Sequence, residues 1–254
     1  MRRASGRALV VALALSAMVL AGCSVPTPTP SPAVTATASV DDPQPLTASQ
    51  AEELAAMPFA NYRAGITAFS GHVLGGENGD LTLTGWIDFA AGTGYAQATP
   101  RDAAPILIVW DATSIAFLDV TDGTLSDAVP PLPPIAGAWQ VSSFDSGVSE
   151  LTRMLAALLL LSADRPDNAS LLRQGGARYL GTDTVAGVDL QRYSGGGADG
   201  QPGAAPDLGT QYWLDGEGAL VRFGLRLAEG TLSTVEFDRA GELPDALPVV
   251  ADVG

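Results

Sequence analysis

In the stretch "GDLTLTGWIDFA" apolar side chains recur at every second position. Leu81, Leu83, Ile87 and Phe89 share one side, and Thr82, Thr84, Trp86 and Asp88 the other. A period of two suits an extended strand with one buried face and is incompatible with a helix, whose period is 3.6. "GHVLGG" before it and "GYAQAT" after it read as neighbouring strands across Gly-rich turns. "ILIVW" is apolar on both faces and suits a central strand, with "SIAFLD" paired to it across Asp111-Ala112-Thr113. The proline-rich "VPPLPP" then leads to "AWQVS". Strand character returns in "ARYLGTDTVAGVDLQRYSG", two strands joined through Ala186-Gly187, and in "TQYWLDGEGALVRFGLRLAEGTLSTVEFD", which reads as three. In the middle one of these, Val221, Phe223, Leu225 and Leu227 are expected to face inward and Arg222 and Arg226 outward.

Helical spacing interrupts this pattern. Ser49 and Glu52 have the spacing of a capping box, followed by Leu54, Ala55 and Met57, with Pro58 expected to end the run. The clearest helix is "SELTRMLAALLLLSA", capped by Ser149, with Leu151, Met154, Leu155, Leu158 and Leu159 at helical intervals. From Ala156 to Leu161 it is apolar all round, and such a helix end is expected to be enclosed on every side. Asp164-Arg165-Pro166 breaks it, and Asn168 is placed to cap a second short helix through Leu172. No repeat of fixed period is visible. Many evenly spaced strands with one helical block predict an α+β domain, a large antiparallel sheet with helices on one side.

The first residues carry a different signal. Arg2, Arg3 and Arg7 precede an apolar run from Ala8 to Leu20 broken only by Ser16, too short to span a bilayer. Leu20-Ala21-Gly22-Cys23 follows, and this quartet resembles the bacterial lipobox. That resemblance implies a diacylglyceryl group on the Cys23 sulfur and cleavage just before it. Cys23 is the sole cysteine, so it has no partner for a disulfide or a thiolate metal site. From Ser24 to Pro45 the chain is rich in Pro, Thr, Ser and Ala with nothing periodic to bury, which favours extended, polyproline-like conformations of about 3 Å per residue. The expected organisation is a signal peptide at 1–22, a disordered linker with the lipidated cysteine at 23–46, and one domain at 47–254.

The order of these features resembles the LppX/LprG lipoproteins of actinobacteria, themselves similar to the periplasmic lipoprotein carrier LolA. The order runs from lipobox and linker through an amphipathic helix, strands and a leucine-rich helix. Two pieces, Gly181 to Tyr193 and the hairpin from Tyr212 to Arg222, carry the match best, and it extends over Ala51 to Gly241. It implies a curved half-barrel sheet whose concave face holds helices around an apolar cavity for acyl chains, and it supplies no catalytic motif. The insertion from Ser194 to Gly209 has no counterpart in the pattern.

Charge and motifs narrow the classes further. The formal charge of the 254-residue chain is −15, and loss of Arg2, Arg3 and Arg7 takes it to −18. So acidic a surface repels phosphate backbones, which argues against a nucleic-acid partner. Gly195, Gly197 and Gly200 fit a dinucleotide spacing, but Pro202 and Pro206 follow where a helix is needed. His72 is the sole histidine, so no histidine cluster for a metal exists. Asp119, Asp122 and Asp127 miss the spacing of a calcium loop. Asn168-Ala-Ser170 matches a glycosylation sequon and carries little weight. Trp86, Trp110, Trp139 and Trp213 are as suited to strand packing as to a binding groove. No constellation for an enzyme or a cofactor emerges.

Two expectations follow. The first is a monomeric protein, anchored at the extracytoplasmic face of the cell membrane through its diacylglyceryl group, that binds a lipid or glycolipid in an apolar cavity. Its wall would be Leu81, Leu83, Val221, Phe223 and Leu225 from strands and Leu155, Leu158 and Leu159 from the leucine helix. The second is a structural or sensory lipoprotein with a filled core, presenting its acidic surface to a protein partner. A cavity of several hundred Å3 favours the first and a closed core the second.

Overall fold

The computed structural model describes residues 42–75, 79–120, 125, 129–196, 207–228 and 231–253. These belong to one compact unit, Thr37–Gly254. Cys23 and the lipobox lie outside the described residues, as do Asp122, Asp127, Gly197 and Gly200.

A single antiparallel sheet of twelve strands organises the domain. A short strand β1 (Gln44–Pro45) leads into helix α1 (Ala48–Ala64). A six-stranded meander follows: β2 (Ile66–Val73), β3 (Leu81–Asp88), β4 (Thr93–Pro100), β5 (Ile106–Asp111), β6 (Ser114–Asp119) and β7 (Gln140–Ser143). Helices α2 (Glu150–Leu159) and α3 (Ala169–Gln174) separate it from a five-stranded meander. That second run is β8 (Arg178–Val185), β9 (Val188–Gly195), β10 (Asp207–Leu214), β11 (Leu220–Ala228) and β12 (Thr231–Asp238). The two meanders join where β12 pairs with β2, Phe237 opposite Phe69. The sheet does not close: β7 ends it on one side, and β1, paired with β8, on the other. This is the large antiparallel α+β sheet that the strand and helix pattern predicts, in the open half-barrel form that the family resemblance implies.

Alternation sorts the side chains as the period of two requires. Leu81, Leu83, Ile87 and Phe89 enter the main core with α1 and α2, on the concave face. Trp86, from the other side of β3, joins Tyr95, Leu107 and Val109 in a second buried cluster. The strand "ILIVW" supplies both cores, Ile108 and Trp110 to one and Leu107 and Val109 to the other, which explains its lack of polar positions.

The second cluster departs from the expectation of a sheet covered on one side. Partly buried Ile135, Trp139, Leu247 and Val253 pack over its outer face. The Tyr95 hydroxyl donates to the Pro131 carbonyl at 2.8 Å, fixing the proline-rich connection there. Burial raises the Tyr95 phenol above its usual range, so it remains a donor. Helix α4 (Val250–Val253) buries Val250 in the same cluster.

Three local expectations are corrected. The cap of α1 is Thr47, not Ser49: its side chain accepts from the Gln50 N–H while Gln50 accepts from the Thr47 N–H, and Glu52 takes no part. The helix also does not stop at Pro58. Proline cannot donate to Leu54, yet the turn continues because the α2–α3 connection packs on it. Asp167 N–H donates to Ala55 O at 2.8 Å and Ala163 N–H to Pro58 O at 3.1 Å. Finally, β1 pairs with β8 and Leu46 is 5% exposed, so Gln44 to Leu46 belong to the domain although their composition placed them in the linker.

Candidate functional site

On the concave face, α1 and α2 lie against the sheet with Ala51, Leu54, Met154, Leu155 and Leu158 buried. Capping explains where α2 begins: Ser149 Oγ accepts from the Thr152 N–H, and Thr152 Oγ1 accepts from the Ser149 N–H. Of the proposed wall, Leu81, Leu83, Leu155, Leu158 and Phe223 lie in one continuous buried cluster, and Leu159 and Leu225 pack against it. Val221 stands apart. Arg222 faces Trp213 whereas Leu220 faces Leu214, so Val221 is the extra residue of a bulge. The bulge turns Leu220 inward, 2% exposed, into the position that strict alternation assigned to Val221.

These residues pack together in one cluster. Among the described residues of the helix layer a pocket of about 110 Å3 opens, the volume of roughly four waters. Leu54, Met57 and Pro58 of α1 form one side of it, and Leu160, Leu161, Leu172 and Tyr212 much of the rest. At its rim Leu160 is 81% exposed, so the apolar end of α2 is not enclosed on every side as expected. Nearby Leu171 of α3 is also exposed, and α3 has no buried residue at all. The sequence signal for this mouth was the all-round apolar run Ala156 to Leu161. Nothing local marked Tyr212, Pro58 or Leu172 as its neighbours.

Polar anchors hold the helices to the sheet around this mouth. Tyr193, on β9, donates to Glu53 Oε2 at 2.7 Å, and burial followed by the hydrogen bond and charge of Glu53 pushes its phenol far up, so it stays protonated. Ser162 Oγ donates to Phe89 O at 3.0 Å. The buried Asn61 ties three elements together. Its Nδ2 donates to Leu161 O at 2.7 Å, just after α2, and its Oδ1 accepts from Arg239 Nη2 at 2.7 Å, just after β12. Burial lowers the Arg239 pKa, with the Asp215 charge opposing the shift. Asn61→Ala leaves the Leu161 carbonyl and the Arg239 guanidinium short of a partner. A loss of about 2 kcal/mol in stability is expected by chemical denaturation.

The remaining candidates fall elsewhere. His72 is exposed on β2 and, with Thr82, Thr99, Asp80 and Arg101, borders a hollow of about 460 Å3 at the ends of β3 and β4. Among the described residues, no three of His, Cys, Asp and Glu are grouped to hold a metal ion, and no helix is long and apolar enough to cross a membrane. Asn168 caps α3 through Oδ1, accepting from the Ser170 and Leu171 N–H groups. Trp213 is buried on β10, with the guanidinium groups of Arg192 and Arg222 over its ring and its Nε1 donating to Asp183 at 3.1 Å. It serves packing.

No family description and no curated protein matches this chain. Among solved structures it is similar to the Mycobacterium tuberculosis lipoprotein LppX, at 13% identity and a TM-score of 0.37, over 75% of this chain and 97% of that one. It is also similar to the Pseudomonas aeruginosa MucA/MucB complex, at 17% identity and a TM-score of 0.34, over 80% of this chain and 60% of that one. A DUF1329 family protein from Desulfovibrio piger follows at 11% identity and a TM-score of 0.30, over 77% and 92%. These are distant likenesses of architecture. They do not place the chain in the actinobacterial family, and the functional reading rests on its own geometry.

Proposed function

We propose that this chain is a lipid-anchored protein of the cell envelope that takes up acyl chains at the concave face of its sheet. The observation that carries the reading is the apolar mouth: exposed Leu160 beside a pocket walled by Leu54, Met57, Leu161 and Leu172, opening over the main core. At about 110 Å3 the pocket falls short of the several hundred Å3 of a ready-made acyl cavity and admits only the start of a chain. Further entry requires α3 to swing out, and an element with no buried residue is the one that opens at least cost. Burial of ten methylenes at about 0.8 kcal/mol each would offset that opening without any polar contact. Cys23, as the lipobox cysteine, supplies the tether, with no catalytic residue and no cofactor required.

The test is lipid mass spectrometry on the compact unit Thr37–Gly254, secreted by a host rich in envelope lipids and extracted with organic solvent. A stoichiometric acylated species is expected, reduced at least tenfold by Leu160→Asp. That substitution lies at an exposed position and, beside a helix C-terminus, costs under about 1 kcal/mol of stability. A well-folded domain that carries no enriched lipid sinks the reading. For the tether, Cys23→Ala in the full chain is expected to move it out of the membrane fraction.

A further inference from the structure

A second hollow lies on the other face of the sheet. It is a trough of about 690 Å3 between the connection that precedes β7 and the C-terminal segment. Leu132, Pro133, Pro134 and Trp139 line one side, and Pro244, Leu247 and Pro248 the other. Ile135, Trp139 and Leu247 rest on the second buried cluster, which gives the trough a rigid apolar floor.

Its charge is one-sided. Four lining prolines bring no N–H. Trp139 Nε1 is committed to Ile135 O at 3.2 Å, and the Asp252 N–H to Val249 O at 3.0 Å. The only charged residues in the lining are Asp245 and Asp252, both exposed, and no arginine or histidine offsets them. The charge of the lining is therefore of one sign, which disfavours an anionic ligand such as a fatty acid or a lipid phosphate and favours a cationic one.

Trp139 leads directly into β7, the terminal strand of the sheet, whose four residues are all exposed. "QVSS" contains no charge and no proline, the usual protections of a free edge. As the last strand of the sheet, β7 offers its outward N–H and C=O groups to a further strand.

We propose that the trough and the β7 edge together form a docking site for an extended, basic segment of a partner protein. The segment pairs its backbone along β7, as peptides do when they add a strand to an exposed sheet edge. Apolar side chains enter the trough beside Trp139 and the prolines, and arginine or lysine side chains pair with Asp245 and Asp252. The proposal is independent of lipid uptake, since mouth and trough occupy opposite faces of the sheet, and either can fail alone.

The experiment is calorimetric titration of the unit Thr37–Gly254, which contains both buried clusters, with three capped pentapeptides. These are Arg-Val-Arg-Val-Arg, Thr-Val-Thr-Val-Thr and Glu-Val-Glu-Val-Glu. The arginine peptide is expected to bind and the glutamate peptide not to bind. The double variant Asp245→Asn with Asp252→Asn is expected to weaken the arginine peptide about fivefold, the scale of two exposed ion pairs. Ala246→Trp, which fills the trough from an exposed position, is expected to abolish binding. No binding by the arginine peptide overturns the proposal, as does equal binding by the threonine or glutamate peptide. Arginine-peptide binding indifferent to Ala246→Trp also overturns it, because it then reflects the acidic surface as a whole. If Ala246→Trp does not fold, the double variant decides alone: an unchanged affinity refutes the site.

Discussion

Gly85→Ala is expected to lower the stability of the domain by about 3 kcal/mol, an unusually large effect for one added methyl group. Gly85 lies on the concave side of β3, between Leu83 and Ile87, and faces Phe69 of β2 and Ala96 of β4. A Cβ there would sit 2.2 Å from the Tyr95 carbonyl oxygen and 2.6 Å from the Ala96 Cα. Those are backbone atoms of the adjacent strand, so no side-chain rotamer relieves the clash. Gly71 on β2 repeats the arrangement, with 2.2 Å to Thr234 O and 2.7 Å to the Val235 Cα of β12. The neighbouring strand occupies the space of the missing side chain at both sites, and glycines at such sites let a sheet bend sharply. Denaturant unfolding of Gly85→Ala and Gly71→Ala checks this. Losses below about 1 kcal/mol at both would mean that the sheet relaxes and that these glycines do not set its curvature.

The second large effect is a contrast within one helix end. Leu158→Ala is expected to cost about 4 kcal/mol, since the side chain is fully buried against α1 and the sheet and its loss leaves a cavity. Two residues later, Leu160→Ala is expected to change stability by less than about 0.5 kcal/mol, because Leu160 is 81% exposed. Paired unfolding curves decide the point. Equal losses at both positions would show that Leu160 is covered in solution, by a ligand, a second copy or a rearranged α3, and would remove the open mouth. The contrast also governs how lipid uptake is probed. A charge at Leu158 or Phe223, which is 1% exposed, would unfold the domain rather than empty a site, so Leu160 is the position that separates binding from folding.

Much of the fold was legible because strand alternation and helix capping are local signals. The faces of β3, the two-sided burial of β5, the Ser149 cap and the paired strands around Ala186-Gly187 all follow from side-chain period and turn chemistry. The errors arose where a distant segment intervened. Pro58 failed to end α1 because backbone donors from residues 163 and 167 pack on that turn. Val221 gave its inward place to Leu220 because of a bulge against β10, which depends on pairing and not on composition.

The candidate site divides in the same way. A run of apolar residues from Ala156 to Leu161 announced that something would have to cover it, but the identity of the cover is a matter of three-dimensional neighbours. Leu158 and Leu161 found the core, while Leu160 found solvent. The trough was still less legible. "VPPLPP" reads as a bare connection, and "GELPDALPVVADV" has no period; they form walls only because both lie over the same face of β4, β5 and β6. By itself the sequence determined the identity of most strands and of the three longer helices, the facing of most side chains and the acidic surface, all set by residues close in the chain. Tertiary structure alone decided the close approach of neighbouring strands at Gly71 and Gly85, the packing of helices on the concave face and the hollow on the far side, because each depends on backbone brought together from distant positions.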